Sequence, residues 1–532
     1  MKRILLIMFL AIGAALFQVD RFSVAQTGSR TEWRVEKTSS NPIFRQDDEQ
    51  LFPNSDFEMG DWTGWTVVSG TAWINTPSGC TGASNGNSFF GIPDLEGGYR
   101  TACSDQGGDA TVGVLKSQTF TVHRKYISFI SAGWDGVDGA ARQNRIELIR
   151  ASDDSVLLTA FAPLRDTWGI NWWDVSLYQG LSVYIRITDA NSDGTRGWIG
   201  VGHFYASDSN WEDFAVRTPG LLHDANGIAI RRGGRYWMFY TGETFSNAKR
   251  NVLQRMGLAF SSDLLHWSKL GMPIIPLGEP GAFDEFGTSD PDVISVNGTL
   301  WMFYVGNGSS GGVEPEGGKV GLAWCKEDTD CSSPANWVKY KNPATRNALL
   351  SPPAGQNYWG MSVLHEDGIW KLWVDQSYKG NREQTHYCST DSPNPDTTDW
   401  KSDTQNPVWS IREACGVTDP ALENSHEIGQ PSVFKYGKKY YMAYHKYCDL
   451  KHIYTALASS QDGAHWTDSG LLITGDQGKW DEAQVHFPFA TIIDGDCFIL
   501  YGGAKILTGD MNSWSIGSAR IVNFTAHASG EQ

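Results

Sequence analysis

The chain has 532 residues, of which 60 are acidic and 43 basic, giving a formal charge of −17 with histidine neutral. That balance excludes a polyanion as principal partner, because nucleic-acid binders neutralise phosphates with Lys and Arg; a neutral or weakly charged substrate fits better. Aromatic residues make up 12%, with 23 Trp, 19 Tyr and 24 Phe beside 58 Gly, a mixture suited to short strands, tight turns and aromatic-lined sugar sites, with most rings filling β cores.

Met1-Lys2-Arg3 precedes an uncharged apolar run from Ile4 to Phe17, too short to span a bilayer and placed where a secretory signal stands. Ser23-Val24-Ala25 supplies small residues two apart, so residues 1–25 read as a signal peptide cleaved after Ala25. The mature protein is then expected in the periplasm or the medium with no membrane attachment, since no later segment approaches roughly 18 apolar residues. About 500 remaining residues exceed what one core organises and predict at least two domains. All eight cysteines lie in this part, where an oxidising compartment favours disulfides; Cys80 with Cys103 and Cys325 with Cys331 are the expected pairs, and no spacing reads as a zinc site.

Residues 26–48 are polar and aperiodic and read as a flexible leader. Residues 49–208 have another texture. The phrase Asn54-Ser55-Asp56-Phe57-Glu58-Met59-Gly60-Asp61-Trp62-Thr63-Gly64-Trp65 opens a series of short alternating segments, among them Tyr126–Ile130, Arg145–Ile149 and Val183–Ile187, separated by Gly, Asp and Asn turns in the pattern of a β-sandwich. Together with Trp173–Gly180 and Gly197-Trp198-Ile199-Gly200-Val201 this stretch resembles the galactose-binding-like, jelly-roll sandwich modules appended to levanases. The resemblance implies carbohydrate adhesion or structural support.

From residue 216 to 525 one pattern recurs, and a repeat takes precedence over local propensity. Each unit holds an apolar strand, a Gly turn and an aromatic strand, as in Tyr236-Trp237-Met238-Phe239-Tyr240, Leu300-Trp301-Met302-Phe303-Tyr304, Trp370-Lys371-Leu372-Trp373, Tyr440-Tyr441-Met442-Ala443-Tyr444 and Cys497-Phe498-Ile499-Leu500-Tyr501. Five units of roughly 57 to 70 residues fit four-stranded blades plus loops and predict a five-bladed β-propeller. The whole chain is thus expected to be all-β, a sandwich followed by the propeller. The Ser460–Trp466 turn resembles the Asp-box of sialidases and reads as structural.

In a propeller the innermost strands surround one funnel, so residues just before those strands converge. Aligning the units puts Asp224, Asp290, Gly360, Gln430 and Phe487 at one level, preceded by His223, Ser289, Trp359, Gly429 and His486. His223-Asp224-Ala225-Asn226-Gly227 resembles the Asn-Asp-Pro-Asn-Gly motif of the invertase, levanase and inulinase family, in which Asp224 would match the nucleophile; in the related arabinanase and xylosidase family the same Asp is the general base. Ser289-Asp290-Pro291-Asp292 resembles the Asp-Pro motif carrying their transition-state stabiliser, and His426-Glu427 falls in the blade holding their acid. The Asp-Pro pair stands in the second unit, whereas those families have it in the third, and Glu427 precedes Pro431 by four residues rather than two.

Glycoside hydrolysis needs one protonated and one ionised carboxyl group, and converging acids raise one another's pKa. The catalytic candidates are therefore Asp224, Asp290 and Glu427, with Asp481, Glu482 and Glu423 competing for the acid role. Substrate contacts are expected from His223, Asn226, Tyr358, Trp359, Gln430, Glu482 and His486. Each acid has a plainer reading as a turn former or cap, and His223 and His486 as hydrogen-bonded core residues. The function expected is secreted hydrolysis of a polysaccharide or oligosaccharide, furanosides such as fructans or arabinans being favoured by the resemblance. No organic cofactor is required; a structural calcium ion is compatible but no ligand spacing argues for it. The competing readings are a noncatalytic glycan-binding adhesin and a propeller glycan phosphorylase, which would need Arg or Lys in the funnel.

Overall fold

The computed structural model describes residues 33–45, 49–57, 59–77, 80, 100–136, 142–212, 215–246, 251–307, 318–378, 382–417, 426–505 and 514–530. The signal-peptide reading of residues 1–25 and the competitor acid Glu423 lie outside the described residues. Strand dominates, and the α-helices among the described residues are Ile411–Cys415 and Phe524–Gly530, so the all-β expectation holds. Disulfides join Cys80 to Cys103 and Cys325 to Cys331, as expected, and Cys415 to Cys448, a pair the spacing did not suggest.

Two antiparallel sheets come first. One is ordered Arg165–Asp174, Tyr126–Gly133, Ile199–Ser207, Glu49–Gln50; the other Trp65–Gly70, Gly113–Ser117, Ser182–Asp189, Arg145–Arg150, Val156–Phe161. Alternating side chains from both meet in one core that includes Phe57, Trp65, Leu115, Phe129, Ile146, Ile185 and Phe204. Phe57 stacks on Trp65 at 4.6 Å and Phe129 on Phe204 at 5.0 Å, adding directional ring contacts to burial.

Five further antiparallel sheets follow, one for each sequence repeat. Their first strands are Ala215–Leu221, Gly287–Val296, Gln356–Glu366, Glu427–Tyr436 and Gln484–Ile493. Each touches the first strands of both neighbouring sheets, the fifth against the first, so the five close a ring. The ring is completed by a strand from the far end of the chain: Arg34–Lys37 pairs antiparallel with Ser515–Val522, and Phe44 bridges to Ile516. This corrects the flexible leader for residues 34–44. A strand of four residues is too short to declare itself by alternation, and its partner is nearly 500 residues away.

A repeated lock braces three of the sheets, each within itself. In the first sheet Trp211 covers Gly242 and Gly257, while the Tyr240 hydroxyl donates to Glu212 Oε2 at 2.6 Å. In the second, Phe283 covers Gly306 and Gly321 and Tyr304 donates to Asp284 Oδ2 at 2.8 Å. In the fifth, Trp480 covers Gly503 and Gly517 and Tyr501 donates to Asp481 Oδ2 at 3.0 Å. Each acid also meets a lysine of its sheet's outer strand: Lys269 with Glu212, Lys339 with Asp284, and Lys37, from the N-terminal strand, with Asp481. The glycines are needed because any Cβ would strike the covering ring. Asp481, weighed above as a catalytic acid, is structural; Glu482 beside it accepts the Gly478 amide at 3.0 Å, as Glu285 accepts that of Gly281 at 2.8 Å. The Ser460–Trp466 turn is also structural: Asp462 Oδ1 accepts the Ala464 and His465 amides, and Ser261–Trp267 repeats the pattern.

The lock on the closing strand is testable by chemical denaturation. Asp481 is 1% exposed, lies 2.7 Å from Lys37 Nζ and accepts the buried Tyr501 hydroxyl, so Asp481→Ala is expected to cost about 2 to 3 kcal/mol by leaving that hydroxyl unpaired and removing the nearer carboxylate of Lys37. Asp476, the other carboxylate near Lys37 and 60% exposed, is expected to cost less than about 1 kcal/mol when changed to Ala; equal losses would contradict the lock.

Candidate active site

In every first strand the ladder slips so that two residues face one. The slips fall between Arg217 and Gly220, Ser289 and Asp292, Tyr358 and Met361, Gly429 and Ser432, and His486 and Phe489. Such bulges re-aim a side chain out of the pleat. Four contain an X-Pro pair, Thr218-Pro219, Asp290-Pro291, Gln430-Pro431 and Phe487-Pro488, with φ of 47°, 52°, 52° and 51° at the first residue. Proline is tolerated there because the ladder is already interrupted. The bulges surround a cavity on the ring axis lined by Thr218, Asp290, Asp292, Met361, Gln430 and Phe487 among others.

Asp290 enters this cavity from the second sheet. Its amide donates to Thr241 Oγ1 at 3.0 Å, while its Oδ1 is buried without a hydrogen-bond partner. Burial pushes its carboxyl up to about 6, against the opposing pull of the Arg217 guanidinium and of hydrogen bonds from Ser289 and Gln430. Arg217 itself donates to Glu243 Oε1 at 2.7 Å and lies 5.0 Å over the Phe487 ring; Gln254 donates to the same Glu243 oxygen at 2.9 Å.

A chain of three carboxyl groups lies across the third and fourth sheets. The residue opposite the bulge is Tyr240, Tyr304, Tyr444 and Tyr501 in four sheets, but Asp375 in the third. Asp375 Oδ2 accepts the Gln430 amide at 3.0 Å, and a Cβ on Gly429 would stand 2.1 Å from that oxygen, so only glycine admits the carboxylate. Asp375 and Glu383 bear on one another's ionisation, and Glu427 on that of both. Burial, then repulsion within the chain and from Asp290, holds Asp375 well above the usual carboxylate range; burial, then Asp375 and Glu427, does the same to Glu383. Glu427 Oε1 lies 3.0 Å from His445 Nε2, and His445 Nδ1 lies 3.0 Å from His486 Nε2.

Of the residues expected at the site, Asp290, Glu427, Gln430 and His486 are brought together. Trp359 lies in the third bulge with its indole donating to Ser377 at 2.8 Å, and Tyr358 packs half-buried beside it. Asp224 is corrected. The first sheet's bulge is Thr218-Pro219, so Asp224 lies six residues beyond the level shared by Asp290 and Gln430. Its Oδ1 accepts the amides of Asn226 and Ile228 in a turn. The loop it belongs to crosses the far end of the axis: His223 exchanges backbone hydrogen bonds with Val293 and Ser295, while Ala225 and Asn226 accept from His365 and Lys435. Those partners lie three to five residues past their bulges, roughly 10 to 17 Å along the strands at about 3.3 Å per residue.

His223 and Asn226 go with Asp224. His223 is fixed between Asp292 Oδ1 at 2.7 Å and the Asp224 carbonyl at 2.8 Å, and Asn226 is exposed at the far end. Glu482 is likewise removed from the substrate contacts by its turn. Asp375, Glu383, Glu243, Arg217 and His445 were missed. The one signal was Asp375 itself, an acid in the aromatic strand where the other repeats carry Tyr.

Two groupings of metal-ligating residues occur among the described residues. Cys80 and Cys103, beside Asp105, are already joined to each other, and Glu427, His445 and His486 already face one another in pairs. Calcium takes six to eight oxygen ligands and matches neither.

No family model matches the sequence, and no curated protein matches it. Similar solved structures include BT0996 in a complex with RGII, at 19% identity and a TM-score of 0.45 over 59% of this protein and 88% of that one. An exo-1,5-α-L-arabinanase from a bovine ruminal metagenomic library matches at 17% and 0.39 over 57% and 92%. Zg3597, a family 117 glycoside hydrolase of the marine bacterium Zobellia galactanivorans, matches at 13% and 0.40 over 59% and 87%. All three lie under 25% identity, and the chemistry of this protein rests on its own site.

The buried Asp290 gives stability a pH dependence. A carboxyl raised from 3.8 to about 6 on folding binds more protons folded than unfolded between those values, so stability falls as pH rises through that window. Asp290→Asn is expected to match the parent below about pH 4 and to exceed it above pH 6 by up to about 3 kcal/mol, measured by urea denaturation; parallel pH profiles would refute the burial of a titrating Asp290.

Proposed function

We propose that this protein is an exported glycoside hydrolase, a β-sandwich followed by a five-bladed β-propeller, acting on a neutral polysaccharide or oligosaccharide in the axial cavity. The observation that carries the reading is the facing of one buried carboxyl, Asp290, by the chain Asp375–Glu383–Glu427 at the same end of the ring, with Asp290, Asp375 and Glu383 held above ordinary carboxylates. Glycosidases need this pairing of a protonated donor and an ionised partner across the scissile bond.

In this reading Glu383, kept protonated by burial and by Asp375, gives its proton to the glycosidic oxygen as the bond to the anomeric carbon breaks. Asp290, ionised above about pH 6, acts on the opposite face as nucleophile or as base toward water. Glu427, expected from the sequence to be the acid, instead faces the developing positive charge. Asp375 is wholly buried and works through Glu383. Furanosides such as fructans or arabinans are proposed on the sequence resemblance alone, and three disulfides support an oxidising compartment.

The phosphorylase alternative is disfavoured because the arginine at this level, Arg217, is already matched by Glu243 at 2.7 Å. The adhesin alternative leaves unexplained why a binding surface would bury carboxyl groups whose desolvation costs stability.

Purified mature protein incubated with a polysaccharide panel tests the reading. Asp290→Asn and Glu383→Gln are each expected to lower sugar release by about 10²- to 10⁴-fold, while Asp224→Asn stays within a few-fold of the parent. Parent kcat/KM should rise with pH through about 6 as Asp290 ionises. Undiminished release by Asp290→Asn would remove the site, and no release from any polymer by the parent would favour the adhesin.

A further inference from the structure

Behind the acid chain lie two imidazoles that the proposed reaction does not use. His445 stands on the second strand of the fourth sheet, Lys439–Tyr447, opposite Gly429, and is completely buried. Its Nε2 is 3.0 Å from Glu427 Oε1 and 3.7 Å from Glu383 Oε2. Its Nδ1 is 3.0 Å from Nε2 of His486, whose ring lies edge-on to it at 4.1 Å and stacks on Phe487 at 3.8 Å. His486 Nδ1 and His445 Nε2 are both buried without an aligned hydrogen-bond partner, so His445 Nε2 meets Glu427 as a close charge contact at 3.0 Å.

One pair of tautomers suits these distances. A neutral imidazole has one N–H and one lone pair. A carboxylate oxygen 3.0 Å from His445 Nε2 favours an N–H there over a lone pair; His445 Nδ1 then presents its lone pair to the N–H on His486 Nε2. The charged and titratable groups around the pair are Glu427, Glu383, Asp375 and Arg217; the neighbour of His445 on the third strand is Thr455.

We infer that His445 and His486 are positioning residues of the acid chain: His486 orients His445, and His445 holds one oxygen of Glu427 so that the other meets Glu383 and the shared proton stays on Glu383. The inference rests on the hydrolase reading for its consequence, while the hydrogen-bond polarity stands independently of it. The pair is a line of two imidazoles ending 3.0 Å from a carboxylate oxygen, a setting in which the partner of one ring nitrogen sets the tautomer and orientation of the other.

The test has two arms. In protein labelled with ¹⁵N-histidine, NMR should show His486 neutral with its proton on Nε2 from pH 5 to 8, and the His445 signals should move on Glu427→Gln but not on Asp224→Asn. A His486 that titrates in this range, or carries its proton on Nδ1, overturns the inference. In the activity arm, His445→Leu should lower kcat by on the order of 10- to 100-fold, less than loss of the acid itself, with KM within about 3-fold and the acid limb of the pH profile displaced; His445→Gln, which retains an N–H toward Glu427, should recover part of the loss. Unchanged kcat and pH profile in His445→Leu overturns it. So does stoichiometric zinc binding by the parent that His486→Gln abolishes, since the imidazoles would then be ligands. Parent protein inactive on every glycan but giving the expected tautomer signals refutes the hydrolase and leaves the relay standing.

Discussion

Where each first strand meets its second, two residues face one, and the extra residue turns its side chain out of the pleat onto the axis of the ring. A regular strand would alternate its side chains between the faces of its own sheet and deliver none to the centre. The slip also interrupts the ladder where proline can stand without forfeiting a hydrogen bond, and four of the five slips use one. The backbone conformation at Asp290 and Gln430, with φ of 52° at each, is of the strained kind that persists only where surrounding structure over-determines it. Here the first strands of all five sheets, pressed around one axis, supply that constraint.

The same geometry sets the electrostatics. Side chains at the bulge level have little water, so a carboxyl there resists ionisation and repels its neighbours across the axis. Asp290, Asp375 and Glu383 show the outcome in their raised titration. What keeps such crowding tolerable is the placement of opposing groups: the Gln430 amide on Asp375, Arg217, Ser289 and Gln430 about Asp290, and the His445 imidazole beside Glu427. Gly429 and Gly360 make room for the Asp375 carboxylate and the Gln430 side chain, where any Cβ would overlap them.

Away from the axis, locks of tyrosine, acid and lysine brace the first, second and fifth sheets, each internally. They explain why acids a few residues ahead of each first strand, Asp284 and Asp481, are buried without belonging to the site. They also explain the one substitution in the pattern that matters for chemistry. The third sheet gives up its tyrosine, and with it the lock, for Asp375. The closing strand Arg34–Lys37 restores to the fifth sheet the lysine that its own repeat lacks.

Much of the architecture could be read from the residues alone, because strand alternation, Gly turns and the recurring aromatic strands are local signals repeated five times. The same holds for Asp290 beside Pro291 and for Gln430 and His486 at matching places in their repeats. Asp224 was misplaced because the motif around it is a good local match while the level of its sheet is fixed by a bulge six residues earlier, which only pairing with Arg217 through Gly220 reveals. Glu383 and His445 lie on third and second strands, where no repeat position marks them, and they reach the axis only because neighbouring sheets bring their first strands close. Residue order specifies the strands, their repetition and which groups can ionise. Packing settles which of those groups share one desolvated volume, because burial and the distance between charges are properties of assembled sheets and have no counterpart in the order of residues along a chain.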